Sequence, residues 1–180
     1  MDALDAIMTR RSIRKYTDQP IDDATLRQIL AAGMSGPTAT NARDWHFLVI
    51  RDRETLNQMA DANGRAATPL REAAVGILIC GDLERAFPRA RDYWVIDGAI
   101  AGQNMILAAH ALGIGSVWLG TWPQEEKVEA QRTLFGLPDT VAPHSIIAFG
   151  YPAEDKSDLP HPDYEEDRVH FACWEAGQKA

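Results

Sequence analysis

The chain has 180 residues, 46% of them hydrophobic and 24% charged, with a formal net charge of -8. That is the composition of an ordinary globular protein with enough chain to bury a core within one domain. The acidic balance excludes a nucleic-acid or anionic-membrane surface as the main partner, and two cysteines exclude a disulfide framework in favour of a reducing cytoplasm.

The N-terminus, MDALDAIMTRR, places acids where a signal peptide needs basic residues. Ala3, Leu4, Ile7 and Met8 form an apolar stripe on a short first helix that stops near Arg10 to Ser12. RRSIRKYTDQPI follows as an extended passage closed by Pro20. Asp22 is a good N-cap for a second helix, and Ile21 and Leu26 have the spacing of a hydrophobic staple. Leu26, Ile29, Leu30 and Met34 make its buried stripe, and Gly33, Gly36 and Pro37 end it. Pro37 to Asp44 has the composition of a loop, and His46 to Ile50 reads as a strand. Asp52 caps a third helix carrying Leu56, Met59 and Ala60, which terminates at Asn63 and Gly64. Ala74 to Cys80 is wholly apolar and reads as a central strand covered on both faces. Leu83 to Arg91 is mixed and gives no clear signal.

The stretch from Asp92 to Gly120 organises the rest. Its first two thirds predict a helix of about 18 to 20 residues, with Ile96, Ile100, Gln103, Leu107 and Ala111 on one face. Val95, Ala101, Met105, Ile106, Ala109 and Leu112 fill much of the opposite side, so the helix is expected to be wrapped by protein nearly all round. Asp97, Gln103, Asn104 and His110 exclude a membrane span. Gly113 supplies a C-cap and Ser116 to Leu119 a short strand. Trp122 and Pro123 start another helix, anchored by Val128, Leu134 and Phe135. Ser145 to Phe149 is the last strand. From Tyr151 the chain is rich in proline and acid, yet Tyr164, Val169, Phe171 and Trp174 need a surface to cover, on this chain or on a second copy. Strands separated by helices make an α/β or α+β sandwich, with strand direction left open.

Three segments have the composition for chemistry. Arg10, Arg11, Ser12 and Arg14 put three guanidiniums and a hydroxyl within five positions, a set suited to phosphate oxygens. In extended chain residues 10, 12 and 14 share a side, although a solvated basic turn has the same composition. The loop PTATNARDW (37–45) offers the hydroxyls of Thr38 and Thr40 and the amide of Asn41, as a plain polar connector also does. Gly113 to Gly120 lets a flat ligand approach the backbone, but is not a dinucleotide fingerprint, since position 118 is Trp and a helix precedes it. The five histidines lack zinc spacing, and CxxC, P-loop, HExxH and GxSxG motifs are absent. Asp97 and Asn104 share a face of the long helix, and a structural hydrogen-bonding role is preferred for them.

In this order and spacing, RRSIRKY (10–16), GPTATNARDWHF (36–47), DGAIAGQNMILAAHALGIGSVWLG (97–120), FGYPAEDK (149–156) and DRVHF (167–171) resemble the nitroreductase family of flavoproteins. The resemblance spans almost the whole chain. It implies one α+β domain over residues 1–180, with a central, mostly antiparallel sheet between helices, a homodimer around the long helix, and 151–180 as a tail on the partner. It implies FMN as cofactor, NADH or NADPH as donor, and a ping-pong reduction of an electron-poor small molecule. Carried over, Arg10, Ser12 and Arg14 hold the FMN phosphate and ribityl chain, with Arg11 close by. Pro37, Thr38 and Asn41 reach the cofactor from the other subunit, and Trp118, Leu119 and Gly120 line the ring, with an amide near Leu119 at N5. No protein nucleophile, acid or base is implied. The family loop reads PSxxNxQPW, whereas this chain has Thr38 for Ser, Arg43 for Gln and Asp44 for Pro, a change that alters the substrate mouth or forms a surface pair. His161 stands where relatives carry a phosphate-binding arginine. Competing readings are a specialised flavin enzyme (a dehalogenase or dehydrogenase), an FMN-binding protein without turnover, and an anion-binding scaffold without flavin.

Overall fold

The structure is a computed structural model that describes residues 1–156, 164–171 and 174. Four strands, β1 (Trp45–Ile50), β2 (Val75–Asp82), β3 (Gly115–Gly120) and β4 (Val141–Gly150), form one sheet in the order β1-β2-β4-β3, and every pair is antiparallel. Among the described residues five α-helices surround it: α1 (Ala3–Thr9), α2 (Asp23–Met34), α3 (Arg53–Asn63), α4 (Tyr93–Ala111) and α5 (Glu125–Phe135). The strand alternation sorts the core into two layers. Ile77, Ile79, Ile147 and Phe149 pack with Leu26 and Ile29 of α2 and with Met105, Ile106 and Ala109 of α4. Leu78, Cys80, Ile146 and Ala148 face the other way, toward Leu56 and Met59 of α3 and Leu134 and Phe135 of α5. Helices on both faces of an antiparallel sheet make the α+β sandwich that the motifs imply.

The caps form as their sequences dictate. Asp22 accepts the Thr25 amide at 2.9 Å and Asp52 accepts that of Thr55 at 2.8 Å. Gly113, at φ +78°, turns the chain out of α4 in a conformation that favours glycine. Gly102 admits the indole of Trp118, since a Cβ there would lie 2.4 Å from the ring. Although α4 has 19 residues, no helix among the described residues is long and apolar enough to cross a membrane.

The apolar stripe on α1 lies outside the core: Leu4, Ile7 and Met8 are exposed and only Ala6 is buried. Three expectations are corrected. The α4 face carrying Ile96, Ala99 and Gln103 is likewise uncovered in the single chain. Helix α5 begins at Glu125 after a Thr121–Gln124 turn closed by the Gln124 amide, so Pro123 precedes the helix rather than opening it. Strand β4 starts four residues earlier than its apolar run, at Val141, because the register shifts around His144 and the sheet absorbs Pro143.

Candidate functional site

After α1 the chain runs extended along the outer edge of β3, the Ile13 amide donating to the Ser116 carbonyl at 2.9 Å. Ile13 and Tyr16 turn into the core and pin the segment, while Arg14 stays exposed. The far side of the segment pairs with the chain leaving β4: the Thr17 amide donates to Tyr151 at 2.9 Å and the Ala153 amide to Lys15 at 3.0 Å. This pairing brings in two residues that sequence reasoning did not single out. Glu154 Oε1 accepts the amides of Arg14 (2.6 Å) and Lys15 (3.3 Å) and pairs with Lys156 Nζ at 3.1 Å. Burial raises the Glu154 carboxyl, but those amides and Lys156 outweigh it and hold the group below its ordinary range. Lys156 Nζ also donates to the Ser12 carbonyl at 2.9 Å, placing an ammonium beside Ser12. The signal was present in FGYPAEDK as a motif, but a bond spanning 144 positions has no local signature.

Arg11 lies at the end of α1. Its Nη1 donates to the carbonyls of Met8 and Arg10 (3.3 and 3.1 Å), closing the end of α1. A cleft of about 890 Å³ opens on that side, lined by Thr9, Arg11, His110, Gly115, Ser116 and Lys156 among others. His110 Nε2 lies 2.8 Å from Thr9 Oγ1, whose proton goes to the Asp5 carbonyl, so the ring nitrogen donates. Burial and then the charges of Arg10 and Arg11 lower the His110 pKa and keep the ring neutral.

At the other end of β3 the three candidate residues divide their work. Leu119 is buried in the core. Because the Ser116 carbonyl faces outward to Ile13, alternation turns the backbone of Trp118 and Gly120 to the open edge and that of Leu119 toward β4. Asn63 at the end of α3 fixes this edge, its amide donating to the Gly120 carbonyl at 3.1 Å. A Cβ on Gly120 would meet no heavy atom within 4 Å, so the strand end is open to a flat ligand. The Trp118 indole leans over α4, edge-on to His144 with centroids 5.7 Å apart.

Pro37, Thr38 and Asn41 are not brought to this place. Their loop leads into β1, at the opposite edge of the sheet, three strand spacings or about 14 Å away. Asp97 of α4 holds the loop by accepting the Ala39 amide with both oxygens, at 3.1 and 3.0 Å, the structural role preferred for it. Thr38 Oγ1 accepts the Arg43 amide at 3.1 Å, and Arg43 Nε donates to Asn41 Oδ1 at 3.1 Å. Thr40, Asn41 and Arg43 all have positive φ, strained for residues with side chains. Asp44 makes no surface pair with Arg43; it is completely buried. His161 lies outside the described residues.

The family model described as the nitroreductase family matches residues 7–81 and 63–151. The chain is 43% identical over 176 residues to a Methanothermobacter thermautotrophicus protein provisionally named NADH dehydrogenase/NAD(P)H nitroreductase, covering 97% of this chain and 88% of that one. Among solved structures, an FMN-dependent nitroreductase from Clostridium difficile superposes with a TM-score of 0.87 at 29% identity, covering 95% of this chain and 99% of the other. A Desulfovibrio desulfuricans protein, provisionally a nitroreductase and solved in complex with FMN, gives 0.80 at 33% identity, covering 97% and 99%. By sequence and by fold, this chain belongs to the nitroreductase family.

Proposed function

We propose that the protein is an NAD(P)H-dependent FMN oxidoreductase of the cytoplasm, acting as a homodimer on electron-poor small molecules such as nitroaromatics and quinones. When bound, FMN supplies the redox chemistry, accepting hydride from NADH or NADPH and passing reducing equivalents to the acceptor. Arg10, Ser12 and Arg14, joined by Lys156, are the groups suited to its phosphate and ribityl end. The open edge at Gly120 offers a backbone amide to the ring, and Asn63 keeps that edge in place. Pro37, Thr38 and Asn41 of a second copy complete the site. Residues 1–180 form one domain, whose tail is held on its own chain through Lys156 and meets the partner with Tyr164, Phe171 and Trp174, which are exposed on the single chain.

The observation that carries this reading is the division of one set of binding groups between opposite edges of one sheet, with an uncovered apolar helix between them. A second copy packed on that helix supplies each half-site with what it lacks. The test is visible absorption of the purified protein, followed anaerobically on adding NADH or NADPH. A yellow protein that bleaches with either donor and recovers its colour with a nitroaromatic is expected. Arg14→Ala should retain the fold and lose about 10- to 100-fold in FMN affinity, the size of one charge-assisted contact. A protein that takes up no FMN, or stays yellow with both donors, overturns the assignment.

A further inference from the structure

Asp44 enters β1 completely buried, and neither carboxylate oxygen accepts an N–H or O–H among the described residues. Its main chain is engaged, since its carbonyl accepts the Asp82 amide at 2.6 Å. The carboxyl it couples to is that of Asp97, only 2% exposed, which holds the Ala39 amide of the same loop with both oxygens. Two ionised carboxylates offer only acceptors to each other, so this contact is a bond when one of them carries a proton. Among the described residues the surroundings supply no paired counter-charge. Asp82, at the end of β2, gives Oδ1 to the amides of Glu84 and Arg85 and faces exposed His46 at 3.5 Å through Oδ2. Arg43 spends its Nε on Asn41, and His144, packed on Gly98 next to Asp97, is kept neutral by burial. Among the described residues no Lys or Arg side chain pairs with Asp44 or Asp97.

We propose that Asp44 and Asp97 share a single proton, and that this acid pair is a clasp positioning the Pro37–Asp44 loop for the flavin site of the opposite subunit. The proposal rests on the reading that this loop meets FMN. Three positive-φ residues need such an anchor, and the anchor reaches them through Ala39. Burial, and then the Asp97 charge, pushes Asp44 up to about 6, and burial raises Asp97 as well. Because the folded state binds the proton more tightly than the unfolded chain, the contribution of the clasp is present at low pH. It is lost as pH rises through about 6, when the second ionisation drives the carboxylates apart. Asp44 is therefore a positioning residue that acts through Asp97 and Ala39.

The test compares the full chain with Asp44→Asn, whose amide is a permanent donor to Asp97. FMN affinity is read by flavin fluorescence, and Ala39 amide protection by NMR without flavin. The two proteins should bind FMN equally at pH 5.5, and the variant about tenfold more tightly at pH 8, one pKa unit of coupling. The second ionisation of the FMN phosphate is common to both, so their difference reads the clasp. Ala39 protection should fall with rising pH in the wild type alone. Identical pH profiles in the two proteins overturn the proposal, as does carboxyl ¹³C titration of the wild type showing both aspartates ionised at ordinary carboxylate values. If FMN binds at no pH, the flavin reading fails, while Ala39 protection still decides whether the clasp exists.

Discussion

His144 shows how one residue couples the sheet to the helix above it. It sits where the β2–β4 register shifts, its ring on Gly98 and edge-on to both Trp94 and Trp118, with Nδ1 3.0 Å from Ser145 Oγ. Burial lowers its pKa from 6.5 to about 4. The folded state thus refuses a proton that the unfolded chain accepts, so stability is full above about 6.5 and falls as pH drops toward 4. Between pH 7 and 5 this amounts to about 2 kcal/mol. Asp44 titrates in the same range with the opposite sign, so the raw slope of stability against pH mixes the two. The comparison that isolates His144 is urea unfolding of the wild type and His144→Gln at both pH values. The variant should be less stable at pH 7 and should lose about 2 kcal/mol less on acidification. Equal losses in the two proteins would assign the acid sensitivity elsewhere.

At the scale of elements, the end of β3 is held in place by the end of α3. Asn63, 1% exposed, donates to the Gly120 carbonyl and accepts the Thr121 hydroxyl at 2.8 Å. Asn63→Ala leaves a buried hydroxyl without its acceptor and frees the edge carbonyl, so a stability loss of about 1–3 kcal/mol is expected. Thermal unfolding reads the loss. A larger rise in exchange, variant against wild type, at the Leu119 amide, which faces β4, than at the Ile147 amide would place it at the strand end rather than in the core. Elements of this kind were legible wherever the signal was local. The caps at Asp22 and Asp52, the apolar run Ala74 to Cys80 that makes most of β2 and the glycine after α4 could all be read from neighbouring residues. What stayed hidden depended on distant partners. Asn63 meets a strand 57 positions away, and Glu154 meets amides 140 and 139 positions away. The start of β4 was masked by Pro143 and His144, because a residue without an amide and a shifted register both break the alternating pattern. Of the candidate site, the arginine segment and the loop were readable as types, whereas their placement on opposite sheet edges required the strand order.

The whole molecule is where the α1 stripe finds its explanation. Periodicity identifies a face that avoids water, but not which molecule covers it. On the single chain Leu4, Ile7 and Met8 are 73%, 50% and 53% exposed, and Ile96 on α4 is 50% exposed. Scattered exposed apolar residues are normal, but here a short helix and the longest one both present them, and α1 packs on α4. A two-fold contact across α4 would bury both sets and carry the loop of one chain, which feeds β1, toward the Arg10–Arg14 segment of the other. Ile96→Arg tests this at a half-exposed position on the uncovered face of α4. An interface anchor exchanged for a charge should weaken self-association by at least about tenfold. The variant should sediment as a monomer at concentrations where the wild type is a dimer, with far-UV circular dichroism unchanged. With each flavin site built from two chains, as proposed, FMN should dissociate from the variant on dilution in step with the monomer fraction. A monomeric variant that kept its FMN would show that one chain suffices for the site, and a dimeric variant would remove α4 from the interface.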